Sequence, residues 1–198
     1  MKLYHLDRSG HIREGQVVDK IKDVVVQKDF LKKYNDEVYN EFFPDGISSH
    51  GKTYFHSGYG HKDFAIDIIY EYERRLNYPE KLSRYEAFFA FDIDGLVEFV
   101  TQKELDFEFM KIYEVEVEEY ERHNMNLLRG WAHFDTIIAA KYYWEDQEDY
   151  RDVEPHYEYL VKLPVTIGKE VDYSDLKAVV DKKKENKAKV LKPENKNK

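Results

Sequence analysis

The stretch from Glu71 to Phe99, EYERRLNYPEKLSRYEAFFAFDIDGLVEF, constrains the fold of this chain most. A charged helix carrying Glu71, Glu73, Arg74 and Arg75 must halt at Tyr78-Pro79, because proline cannot continue a helix and disfavours helical backbone at the residue before it. The polar corner Ser83-Arg84 then leads into an aromatic strand expected to run to Asp92, and a short helix is predicted over 93–101. The corner sets a small hydroxyl and a guanidinium at the start of a strand whose interior is nearly all aromatic. That arrangement suits a flat polar ligand.

The rest of the chain reads as walls for that strand. Its 198 residues are enough for one domain with a substantial core and an appended segment, and they contain no repeat of fixed period. The absence of cysteine excludes disulfides, thiolate nucleophiles and thiolate-ligated metals. No apolar run has the length of a membrane span and the N-terminus lacks a secretion pattern, so the expectation is a cytoplasmic protein with no membrane partner.

Charge is unevenly spread. From Lys177 onward nine Lys stand against three acids, a net of +6, which leaves −15 of the total −9 for residues 1–176. The acidic body argues against a broad nucleic-acid surface, because phosphate contacts need neutralising Lys or Arg, whereas it is suited to a protein partner. The division expected is a single domain over 1–176 and a basic, disordered tail over 177–198.

Periodicity supplies the elements. Strands are predicted at 2–6, 84–92, 111–119 and 156–167, with a further one at 53–56; helices are predicted near 28–43, 62–76, 93–101 and 127–144. The helix over 62–76 has its apolar residues at Phe64, Ile68, Ile69, Tyr72 and Leu76. That over 127–144 has them at Leu128, Trp131, Phe134, Ile137, Ile138 and Ala140. Residues 44–62 read as an exposed loop over a pocket; its His50, His56 and His61 are too irregularly spaced for a tight metal site, and no metal is expected.

Three ordered features carry chemistry. His5 lies in the first strand opposite the Tyr4 and Leu6 face, with Arg8 just past the strand end, where ligand groups converge. Ser83-Arg84 opens the strand that contains Phe88-Phe89-Ala90. Glu158 opens an otherwise apolar late strand. Taken alone, a strand histidine is a structural residue more often than a functional one, and an edge-strand glutamate often only faces water.

As an ordered set these features resemble the ADP-ribosyltransferase superfamily, in particular its small bacterial and phage members. Tyr4-His5 is similar to the aromatic-His pair of the first strand in diphtheria-like members. Phe88-Phe89-Ala90 resembles their aromatic-Phe-Ala element, with Phe where Tyr is usual. Ser83 matches the hydroxyl residue that opens the equivalent strand in cholera-like members, and Glu158 matches the late-strand catalytic Glu of both types. The resemblance covers about residues 2–168.

It implies an α+β fold, an ADP-ribosyltransferase-like split β-sandwich with flanking helices and an NAD cleft between two small sheets. NAD would be a substrate, its ADP-ribose passing to a macromolecular acceptor, protein or nucleic acid, in the setting of a toxin or a phage–host conflict. Glu158 would be catalytic, stabilising an oxocarbenium-like ribose. His5 and Arg8 would hold the adenosine ribose and the pyrophosphate. Ser83 and Arg84 would brace the glutamate or a phosphate, and Phe89 with Tyr85 or Trp144 would line the nicotinamide slot. The resemblance leaves two alternatives open, an NAD glycohydrolase and a non-catalytic binding or inhibitory protein. G-x-G-x-x-G is absent, which argues against a Rossmann dehydrogenase.

Overall fold

A computed structural model of the chain describes residues 1–22, 37, 39–56, 63–103, 105, 110–130, 133–149, 151 and 153–190. Among these are seven strands: β1 (Lys2–Asp7), β2 (Val17–Val18), β3 (Phe88–Ala90), β4 (Lys111–Glu116), β5 (Tyr120–Asn124), β6 (Tyr157–Val161) and β7 (Val165–Val171). The helices are α1 (Ser49–His56), α2 (Asp63–Asn77), α3 (Ile93–Lys103), α4 (His133–Trp144) and α5 (Tyr173–Val190), with a 3-10 turn at Met125–Leu127. No helix among the described residues is long and apolar enough to cross a membrane.

The strands form two antiparallel sheets, so the expected α+β class holds. One has the order β1-β4-β7-β2 and the other β3-β6-β5. They meet at one isolated bridge, where the amides of Tyr4 and Phe91 each donate 2.8 Å to the other's carbonyl. Alternation along the strands puts Leu3, Phe88, Ala90, Tyr113, Val115, Tyr159, Val161 and Ile167 into one apolar cluster shared by both sheets. On the other face of the three-stranded sheet, α2 and α4 pack through Tyr70, Ala139, Ala140, Tyr143 and Trp144 onto Leu160. The four-stranded sheet is covered by α3 and α5, which meet Leu6, Phe91 and Ile112 through Leu96, Val97, Val100, Leu176 and Val180.

Several expectations are corrected. The strand over 84–92 shrinks to Phe88–Ala90, because residues 84–86 form a turn in which Glu86 and Ala87 both donate to the Ser83 carbonyl. The strand over 156–167 is two strands in different sheets, divided at the cis peptide Leu163-Pro164, where proline lacks a ladder donor. Residues 53–56 belong to helix α1, not to a strand, and α1 replaces much of the loop expected over 44–62. α4 begins at His133 rather than 127, and β5 was not anticipated. The tail is helical through Val190, anchored by the buried Leu176 and Val180. Residues 191–198 and most of the helix expected over 28–43 lie outside the described residues.

Candidate functional site

Glu158 follows from the period of two along β6. Tyr159 turns into the cluster between the sheets, so Glu158 and Leu160 turn the other way, toward α2 and α4. There Glu158 is only 2% exposed, and Arg84, 5% exposed, faces it from the turn before β3. Arg84 Nη1 donates to Glu158 Oε1 and, at 2.9 Å, to the hydroxyl of Tyr143 on α4. The Tyr143 hydroxyl in turn donates to the same Oε1 at 2.7 Å. Both contacts of Glu158 therefore fall on one oxygen, and none among the described residues falls on Oε2.

The guanidinium spreads its other donors around the site. Nε reaches Asp67 Oδ1 on α2 at 3.3 Å, Nη2 reaches the Tyr54 hydroxyl on α1 at 3.1 Å, and the group lies 5.0 Å over the Phe89 ring. Burial alone works against the cation, but the carboxylates of Glu158 and Asp67 with the two phenols outweigh it, and the Arg84 pKa is raised. Burial likewise pushes the hydroxyls of Tyr54 and Tyr143 up, so both stay protonated donors. One guanidinium thus serves two buried carboxylates, a pairing that offsets a desolvation cost neither could bear alone.

His50 closes the outer side. Its Nε2 lies 2.5 Å from the Tyr54 hydroxyl, and its ring centroid is 4.1 Å from that of Phe89. The contact joins the His50 ring to the hydroxyl that also accepts from Arg84. His50 keeps an exposed edge, yet the protein packed round its ring, followed by Arg84, His5 and Arg8, pushes its pKa down to about 3. α1 comes this close because Gly51 has no side chain: a Cβ there would stand 2.1 Å from the Tyr85 carbonyl oxygen.

His5 enters from β1. Beyond the Tyr4–Phe91 bridge the strands part, and His5 Nδ1 spans the gap to donate to the Phe89 carbonyl at 2.7 Å. Burial lowers its pKa, so it is neutral with Nε2 left as an acceptor. Arg8 is exposed at the end of β1, near enough to His50 to act on its charge. The turn beneath it is held by Asp7, whose carboxylate accepts from the amides of Ser9, Gly10 and Ile12 and from the Ser9 hydroxyl.

Of the residues singled out from sequence, His5, Arg8, Arg84, Phe89 and Glu158 share this region and three do not join it. Ser83 donates to Glu71 Oε2 at 2.8 Å, so it braces a different glutamate, one that also holds Arg74 through two nitrogens. Tyr85 is buried against Phe43 and Tyr54, behind the site. Trp144 is fully buried one layer behind Tyr143, with its indole N–H on the Tyr70 carbonyl at 2.9 Å, and offers no face to a ligand. Sequence reasoning missed Tyr54, Asp67 and Tyr143, and it weighed His50 only as a metal ligand. The one available signal was the spacing of Asp67 and Glu71, two acids one helical turn apart on α2.

A family model described as "Protein of unknown function (DUF2441)" matches residues 3–173, and the chain belongs to that family. The match includes every residue of the site just described. No curated protein matches the chain.

Proposed function

We propose that this chain is an NAD-dependent ADP-ribosyltransferase that passes ADP-ribose to a macromolecular acceptor, protein or nucleic acid, within a split β-sandwich of the kind that superfamily uses. The observation that carries the reading is the convergence of His5 from β1, Phe89 from β3 and Glu158 from β6 at the seam between two sheets, with Arg84 touching both Phe89 and Glu158. His5, Phe89 and Glu158 carry three of the four features on which the resemblance rests, in the same order; the fourth, Ser83, is turned to Glu71 instead. The arrangement supports the chemistry. When the nicotinamide–ribose bond breaks, its electron pair leaves with nicotinamide and positive charge develops on the ribose. A carboxylate fixed by one oxygen and open at the other is suited to stabilise that charge and to accept from a ribose hydroxyl. The acceptor then bonds to the ribose carbon and releases a proton.

One observation favours a second reading, a non-catalytic binding or inhibitory protein with the same architecture. Glu158 already has Arg84 as its partner, and the Phe89 ring already has His50. Incubation with labelled NAD and cell lysate separates the readings. Label on a macromolecule is the expected result. Free ADP-ribose alone indicates a glycohydrolase, and an unchanged NAD pool leaves the binding protein. Glu158→Gln should lower NAD turnover by about 100-fold or more, the usual loss for one preorganised electrostatic group. Turnover at the wild-type rate would remove Glu158 from the mechanism.

A further inference from the structure

The Phe89 ring is the aromatic face that the proposed function gives to the planar ring of the ligand, and His50 stands on it. Their centroids are 4.1 Å apart with the planes tilted by 39°. A flat ring lying between two others needs about 3.5 Å on each side, hence a gap of about 7 Å. No ring enters between His50 and Phe89 while both stay where they are. Besides Phe89, His50 is held by its 2.5 Å hydrogen bond to Tyr54 and a T-shaped contact with the same ring at 4.5 Å. It lies in the first turn of an eight-residue helix, and it keeps an exposed edge by which it can leave.

Resting on the reading above, we propose that His50 competes with the ligand for the face of Phe89, so that binding requires its ring to swing aside and its removal makes the site bind more tightly. This role is opposite in sign to that of a wall residue, whose loss weakens binding. The ring that replaces it would be a planar nitrogen heteroaromatic. The neighbouring Arg84–Tyr54 bond does not depend on His50, because Arg84 is the donor and Tyr54 the acceptor. The rest of the site therefore keeps its order when His50 moves.

Calorimetric titration of NAD, and separately of nicotinamide, into the full-length wild type, His50→Ala and His50→Gln tests this. Glutamine keeps a polar group for Tyr54 but has no ring, so it separates displacement of the ring from loss of the hydrogen bond. The expected result is a Kd for both ligands about two- to tenfold lower in both variants, the factor set by one aromatic pair. Melting temperatures near that of the wild type would show that the variants are folded. Equal or weaker binding by the variants overturns the competition while leaving the NAD reading intact. Binding of neither ligand to any of the three proteins overturns both.

Discussion

At the scale of single residues, the site is a set of buried charges whose partners can be removed one at a time. Tyr143→Phe keeps the ring that stacks on His123 at 4.4 Å and deletes only the hydroxyl that meets Glu158 and Arg84. A hydrogen bond to a buried charged group contributes about 1.5–3 kcal/mol, so thermal unfolding should show a loss of that order. If the chain turns over NAD as proposed, that turnover should fall about tenfold with little change in KM, since Glu158 loses its orientation and not its charge. Protonation gives a second test. His50 is held neutral well below its ordinary pKa of 6.5, so the unfolded chain binds a proton that the folded one refuses; stability should fall as pH drops from about 6.5 toward 3. Asp7 and Asp149 have pKa values below the usual 3.8. For Asp7 burial pulls the other way but hydrogen bonds from Ser9 and Ile12 prevail; for Asp149 the main cause is Arg151. Their contribution is complete above that value and is lost in stronger acid. A melting-temperature profile against pH should therefore fall in two stages, and His50→Gln should flatten the upper one. Much of this residue-level picture was legible: Arg84 and Glu158 stood out because each is a charge at the edge of an apolar strand. Tyr143 and Trp144 were not distinguishable, because two adjacent aromatics in a helix differ only in the direction each faces.

Among the elements, α2 and α4 show where periodicity misleads. Both were expected to bury their apolar stripes, yet Ile68, Tyr72 and Leu76 of α2 are exposed, Leu76 by 76%, as are Phe134, Ile137 and Ile138 of α4, Phe134 by 81%. The inward face of α2 carries Asp67, Tyr70, Glu71 and Arg74 instead, because the interior there holds guanidinium groups that need carboxylate partners. Hydrophobic pattern assumes an apolar interior, and a buried ionic centre breaks that assumption. α5 errs in the other direction: its Lys-rich sequence reads as unstructured, but Leu176 and Val180, one turn apart, are enough to seat it against α3. Truncation after Tyr173 removes both and should cost roughly 3–6 kcal/mol, at about 1.5–3 kcal/mol for each buried aliphatic side chain, whereas truncation after Lys182 keeps both and should cost far less. Urea unfolding of the two shortened chains checks this. The seat of α1 is equally specific. Gly51→Ala would drive a methyl into the Tyr85 carbonyl, so it should lower the melting temperature and detach His50 and Tyr54 from the site.

For the molecule as a whole, the class of fold and the acidic body were legible, while the assignment of strands to sheets was not. The period of β6 and β7 is continuous in sequence, and only Pro164 marks the place where the chain leaves one sheet for the other. The sheets touch edge to edge at Tyr4 and Phe91 through two hydrogen bonds, and both residues adjoin the site: His5 follows Tyr4, and Phe89 precedes Phe91 by two positions. The backbone junction has two hydrogen bonds where β1 and β4 pair at six positions, so its two amides can open locally while the apolar cluster shared by the sheets stays closed. The amides of Tyr4 and Phe91 should thus exchange with deuterium faster than their neighbours in β1 and β3. A ligand that spans the seam from His5 to Glu158 would slow both together, and the rate at which those two protons are lost becomes a clock for how often the edge of the site opens.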